Sequence, residues 1–242
     1  MSFSVAVTRP APFAAETADA LSRRGYEPLL APLLLLNRLT LPGGADPLRA
    51  PGNPSALALT SRTAARLMRD APAFKHLPAY CVGSATAREA AAAGFSVVDA
   101  KGTVDDLFHL LSRSADRLGE GPVLHLSGAD QRGDLVERLN AAGISAERRV
   151  IYKMEAATTL PPVSEAPDAV LLYSPRTARV FARLATLGTN AAHWRKSPCV
   201  ALSPAVAEAL APLSAAAIAA RPDEAALFDA LAGLRTTAAA GA

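Results

Sequence analysis

Hydrophobic positions in this chain come in short unbroken runs: "SVAVT" (4–8), "ALALT" (56–60), "AVLLY" (169–173) and "CVAL" (199–202). Each is followed by a small-residue turn and a longer stretch in which apolar residues recur at helical spacing. Leu135, Val136 and Leu139 in "GDLVERLNAAG" (133–143) illustrate the second pattern. A run that is apolar at every position has no solvent face, so it predicts a strand covered by helices on both sides of a parallel sheet. Gly25 and Gly143 stand where a helix C-terminus is expected, since glycine closes a helix in the left-handed conformation without steric cost.

The pattern occurs twice. "SVAVTRPAPFAAETADALSRRGYEPLL" (4–30) reads strand, helix, glycine, strand, and so does "PVLHLSGADQRGDLVERLNAAGISAERRVIY" (122–152). "LALTSRTAARLM" (57–68) is matched by "VLLYSPRTARVF" (170–181), and "YCVGSATAREAAAAG" (80–94) by "CVALSPAVAEALA" (199–211). The offsets are 118, 113 and 120 residues, in order, which predicts two related halves. Each half reads β-α-β, a break, then β-α-β-α-β-α. The expected fold class is α/β, with two doubly wound parallel-sheet domains. The breaks, "APLLLLNRLTLPGGADP" (31–47) and "RRVIYKMEAATTLPP" (149–162), are extended runs that can pair as a connector.

Composition narrows the function. A chain of 242 residues, half of them apolar, can build two cores. A net charge of +3 is too small for a nucleic-acid footprint. The opening residues have no basic and then apolar leader pattern. The longest strongly apolar stretch (29–39) is shorter than a bilayer span and is broken by Pro32 and Asn37. A soluble cytoplasmic protein is expected. Cys81 and Cys199 are isolated, and His76, His109, His125 and His193 are dispersed, so neither a disulfide framework nor a metal site is expected. The tail "TTAAAGA" (236–242) is expected to fray.

Open α/β sheets bind ligands at the carboxyl ends of their strands. Five loops lie there: Thr60, Ser61, Arg62 and Thr63; Gly83, Ser84, Ala85 and Thr86; Ser127, Gly128 and Arg132; Ser174, Pro175, Arg176 and Thr177; Ser203, Ala205 and Val206. Each Ser or Thr is also an ordinary helix N-cap. Taken together, five such loops opening helices suit a shared anion-binding cleft, gripped mainly through backbone N–H groups. Arg9 ends the first strand and Tyr152 ends an apolar run; surface charge and an amphipathic boundary position are their plain alternatives. Walker, G-x-G-x-x-G and G-x-S-x-G motifs do not occur.

The ordered set "VTRP", "LTSRTA", "VGSATA", "GADQRGDLVERLNAAG", "VIY", "LLYSPRTARVF" and "LSPAVAEAL" resembles the uroporphyrinogen-III synthase family over residues 4–232. Thr63 replaces the family's usual Asn or Ser. Ser203 and Val206 stand where Gly and Thr are common, which removes a hydroxyl role at Val206 and leaves a backbone one. The resemblance implies flavodoxin-like domains at 1–32 plus 158–242 and at 42–147, joined by a two-stranded connector (33–41 and 148–157). It implies cyclisation of the linear tetrapyrrole hydroxymethylbilane, with loss of water and inversion of ring D through a spiro intermediate. Tyr152 is implied as a general acid and Thr86 as a second catalytic hydroxyl; the other loop residues and Arg9 would bind substrate. No metal or organic cofactor is implied. The implied partners are the tetrapyrrole and the upstream hydroxymethylbilane-forming enzyme, with no nucleic acid, no membrane and a monomeric chain. The competing reading is a non-catalytic two-domain protein that closes on a small anion.

Overall fold

The computed structural model describes residues 3–48, 53–130 and 133–240. The strands are β1 (Phe3–Val7), β2 (Tyr26–Leu30), β3 (Leu34–Arg38), β4 (Ala56–Leu59), β5 (Pro78–Cys81), β6 (Ser96–Asp99), β7 (Val123–Gly128), β8 (Ala146–Ala156), β9 (Ala169–Leu172), β10 (Cys199–Ala201) and β11 (Ala215–Ile218). The helices are α1 (Ala11–Ser22), α2 (Arg62–Leu67), α3 (Ser84–Ala92), α4 (Val104–Arg113), α5 (Leu135–Ala141), α6 (Pro175–Leu187), α7 (Ala191–Trp194), α8 (Pro204–Glu208) and α9 (Glu224–Ala240). Two units result: Met1–Leu36 with Glu155–Ala242, and Asn37–Met154.

The first unit has a five-stranded sheet in the order β11-β10-β9-β1-β2, with every described pair parallel. The second has β3-β8-β7-β4-β5-β6, parallel from β8 to β6. Leaving β3 aside, β2-β1-β9-β10-β11 and β8-β7-β4-β5-β6 are one plan. Each sheet takes two strands from one sequence repeat and three from the other. The fold class is α/β with two doubly wound units.

Both faces of the first sheet are buried, as its unbroken apolar strands require. Val5, Val7, Leu171 and Val200 pack with Leu21, Leu227 and Leu231 on one side. Ala6, Val170, Leu172 and Ala201 pack with Phe181, Trp194 and Val206 on the other. Trp194 also donates from Nε1 to the Pro161 carbonyl at 2.9 Å, so its one polar group is satisfied. In the second unit Ala56, Ala58 and Val123 meet Leu107, Leu111, Leu135 and Leu139 of α4 and α5. Gly25 and Gly143 have φ of +75° and +79° and follow α1 and α5 as left-handed closures.

The strands at the breaks pair with each other: β8 runs for 11 residues, pairs with β7 through Tyr152, and has β3 on its other side as the sheet edge, with Leu39 N–H on the Ile151 carbonyl and Ala157 N–H on the Leu33 carbonyl, both at 3.0 Å. One long strand thus serves both as sheet member and as the exit from it. The tail is helical rather than frayed as far as Ala240. Thr236 and Thr237 donate their hydroxyls to the carbonyls of Ala232 and Gly233, and the alanines favour helix. Residues 241–242 lie outside the described residues.

Candidate active site

In the second unit, five candidate residues, Thr60, Ser61, Ser127, Gly128 and Tyr152, meet around the carboxyl ends of β4 and β7, with Tyr152 reaching them from β8. Ser61 caps α2: its Oγ accepts from the N–H groups of Thr63 at 3.2 Å and Ala64 at 3.4 Å. The same Oγ is 2.9 Å from Tyr152 Oη. Tyr152 is buried, with its ring laid on the backbone of Gly128. A Cβ on Gly128 would come within 2.6 Å of Tyr152 Cζ, so glycine is needed there for close approach. Thr60 Oγ1 lies 2.9 Å from His125 Nε2. Ser127, in β7, accepts from Arg148 Nε at 2.8 Å, and Arg148 Nη2 donates to the Gly128 carbonyl at 2.9 Å.

His125 occupies the middle of a fully buried strand. Burial, then the Arg148 charge, pushes its pKa down to about 4 against a weaker opposing effect of Glu137, so the ring is neutral at pH 7. Arg62 meets Glu89 on α3 at 3.0 Å, and Arg66 binds the same carboxylate through Nε at 2.9 Å and Nη2 at 2.8 Å. Burial of Glu89 opposes its ionisation, but the hydrogen bonds and charges of Arg66 and Arg62 outweigh it and hold its pKa below the usual value. Arg62 is thereby held beside the α2 cap. On α3, Gly83 is the N-cap, Ser84 and Ala85 are exposed, and Thr86 is buried. Ser84 donates to Asp99 at 2.7 Å.

The first unit holds the remaining candidates. Ser174 and Thr177 form a capping box on α6, with Thr177 N–H donating to Ser174 Oγ at 3.1 Å and Pro175 in the first turn. Arg176 is half-buried beside them. Ser203 precedes α8, Ala205 is exposed, and the Val206 side chain is in the core with its N–H on the Ser203 carbonyl at 3.0 Å. Arg9 donates to Glu224 at 2.8 Å and to Thr17 at 3.2 Å, with its guanidinium 4.7 Å from the centre of the Tyr173 ring. Burial and the Glu224 charge push the Tyr173 pKa up, keeping the phenol neutral. Arg132 lies outside the described residues.

The amides of Thr63 and Thr177, read from sequence as donors for a ligand, are thus turned onto their own serine caps. His125, Arg148, Glu89 and Glu224 were not singled out as site residues. His125 gave one signal, as the sole polar residue between Val123 and Leu126. Both cysteines are free and buried, with burial pushing each thiol to about 12, so neither is poised as a nucleophile. Among the described residues, no group of three or more His, Cys, Asp or Glu side chains is placed to hold a metal, and no helix is long and apolar enough to cross a membrane.

Two doubly wound units with small-residue loops at the strand ends, and a buried phenol–serine pair in one of them, place the chain in the two-unit α/β class. A family model described as uroporphyrinogen-III synthase HemD matches residues 15–229, and the chain belongs to that family, whose members are enzymes of porphyrin synthesis. Among solved structures it is similar to a uroporphyrinogen-III synthetase from Helicobacter pylori, at 20% identity and a TM-score of 0.59, over 97% of this chain and 100% of that one. It is also similar to a mutant uroporphyrinogen III synthase from the extremely thermophilic bacterium Thermus thermophilus, at 16% identity and a TM-score of 0.49, over 97% and 98% of the two chains. No curated protein sequence matches the chain significantly. The first structural likeness supports the fold, and the family model supports the function.

Proposed function

We propose that this chain closes hydroxymethylbilane into uroporphyrinogen III as a hydro-lyase that needs no cofactor. The observation that carries the reading is the family match over residues 15–229; it does not favour the non-catalytic anion binder. Loss of the terminal hydroxyl as water leaves an azafulvene cation, with the electrons supplied by the adjoining pyrrole nitrogen. The substituted α-carbon of ring D attacks that cation and forms a spiro centre. Breaking the older bond to ring C and reclosing through the free α-carbon inverts ring D, and a final C–H proton is lost. The sum is substrate to product plus water, with no net oxidation. The protein's task is to hold the two ends of the bilane together and to assist departure of the hydroxyl.

In this scheme Tyr152 donates the proton and Thr86 is a second catalytic hydroxyl. Arg9, Thr60–Thr63, Gly83–Ala85, Ser127, Gly128, Arg132, Ser174–Thr177, Ser203, Ala205 and Val206 are the substrate-binding set. Arg62, anchored by Glu89, supports this assignment best, because a fixed guanidinium loses little freedom on meeting a carboxylate. The protein is proposed to act as a cytoplasmic monomer that receives its unstable substrate from the upstream hydroxymethylbilane-forming enzyme. Purified protein incubated with freshly generated hydroxymethylbilane tests the reading. Uroporphyrinogen III is expected in excess over the uninverted isomer I that unaided closure gives; an isomer ratio equal to the protein-free control would overturn it.

A further inference from the structure

The contacts at Ser61 assign a direction to its bond with Tyr152. A serine hydroxyl has two acceptor lone pairs and one proton. The N–H groups of Thr63 and Ala64 both point at Ser61 Oγ, at 3.2 and 3.4 Å, and occupy its acceptor side. The third contact, Tyr152 Oη at 2.9 Å, is left for the serine proton. Tyr152 then accepts, and its own proton is spent elsewhere. Among the described residues, Ser61 is the only side chain hydrogen-bonded to the Tyr152 hydroxyl. A nearly buried phenol (8% exposed) with no acceptor for its proton is costly unless a ligand supplies one. Gly128 fixes the ring from behind, since its missing Cβ is what admits the phenol to this position.

We infer that Ser61 is a positioning residue for the reaction: by donating to Tyr152 Oη it turns the phenol proton away from α2 and towards the departing hydroxyl of the bilane. This rests on the reading of Tyr152 as the acid. As the substrate C–O bond breaks, its electron pair leaves with oxygen, and the Tyr152 proton moves to that oxygen to complete water. The phenolate left behind faces the Ser61 O–H, and a hydrogen bond to an anion is stronger than one to a neutral phenol. Ser61 therefore helps more in the transition state than in the resting enzyme. Tyr152 regains its proton when the last ring-closing carbon releases its hydrogen.

The test uses the full chain with freshly generated hydroxymethylbilane and four variants: Ser61→Gly, Ser61→Thr, Tyr152→Phe, and Ser61→Gly combined with Tyr152→Phe. Glycine is a tolerated N-cap, so Ser61→Gly removes the hydroxyl with little loss of helix. The expectation is a kcat lower by about ten-fold in Ser61→Gly, with KM within about two-fold, and near wild-type kcat in Ser61→Thr. On the Tyr152→Phe background the same Ser61→Gly change should alter kcat by less than about two-fold, because the group it orients is gone. If Ser61→Gly does not fold, Ser61→Asp, which caps α2 but has no proton to give at neutral pH, carries the same kcat expectation. Wild-type kcat in the variant without the serine hydroxyl, wild-type kcat in Tyr152→Phe, or a ten-fold loss that persists on the Phe background would each overturn the inference. Failure of the wild-type chain to convert the bilane would instead overturn the functional reading on which it rests.

Discussion

Replacing His125 with Gln should remove a specific acid sensitivity from the second unit. The imidazole lies in β7, nearly buried, with Nε2 on Thr60 Oγ1. Its pKa is about 4 in the folded chain, against 6.5 for an exposed imidazole. The folded-state value is depressed, so the unfolded chain binds more protons between these values. The resulting stability is fully present above 6.5 and is lost as pH falls towards 4. Linkage across that gap makes the folded state about 2 kcal/mol less stable at pH 5 than at pH 7 through this one group. Gln keeps an amide within reach of Thr60 but does not titrate, while every other group titrates alike in both proteins. Urea unfolding followed by far-UV circular dichroism at the two pH values reads the difference directly. Backbone signal is the right probe because Trp194 belongs to the other unit. The wild type should lose about 2 kcal/mol more than His125→Gln on going from pH 7 to 5. Equal losses would refute the assignment of a buried, neutral imidazole.

Three further outcomes follow from the same geometry. Gly128→Ala places a methyl 2.6 Å from Tyr152 Cζ and must displace the ring, so kcat should fall by about ten-fold while the fold persists; an unchanged kcat would show that the phenol position does not matter. Glu89→Gln leaves Arg62 and Arg66 beside a neutral amide and should destabilise the second unit by about 2–3 kcal/mol at pH 7, measured by urea unfolding; a loss below about 0.5 kcal/mol would mean that the ion pairs contribute little. Exhaustive chelation with EDTA should leave the rate of bilane closure unchanged, and a loss restored by added metal would contradict cofactor independence.

The fold was legible in sequence because strands buried on two faces admit almost nothing but apolar residues, and because the chain repeats its pattern. "ALALT" and "AVLLY" became β4 and β9 for that reason. Residue types at the site were legible too, but their pairings were not. Ser61 and Tyr152 were both singled out, yet their bond spans 91 positions and depends on the register of β8 against β7, which shifts between Ser127 and Gly128. Arg9 looked like a free cation at a strand end until Glu224, 215 residues away, was folded against it. His125 was one of four scattered histidines until burial and Thr60 distinguished it. Val206 illustrates the reverse case: the sequence ruled out a hydroxyl, and its side chain lies in the core. The backbone caps at Thr63 and Thr177 obey local rules, so they were visible as caps but not as already satisfied donors.

The measurement closest to the central claim uses hydroxymethylbilane carrying ¹³C at two adjacent positions, the methylene between rings C and D and the ring-D α-carbon bonded to it. If this chain inverts ring D through a spiro intermediate, that bond breaks during turnover. The one-bond ¹³C–¹³C coupling between the two labels should then be absent from the product formed with the protein and present in the isomer I formed without it. A product that keeps the coupling in the presence of the protein would contradict the account.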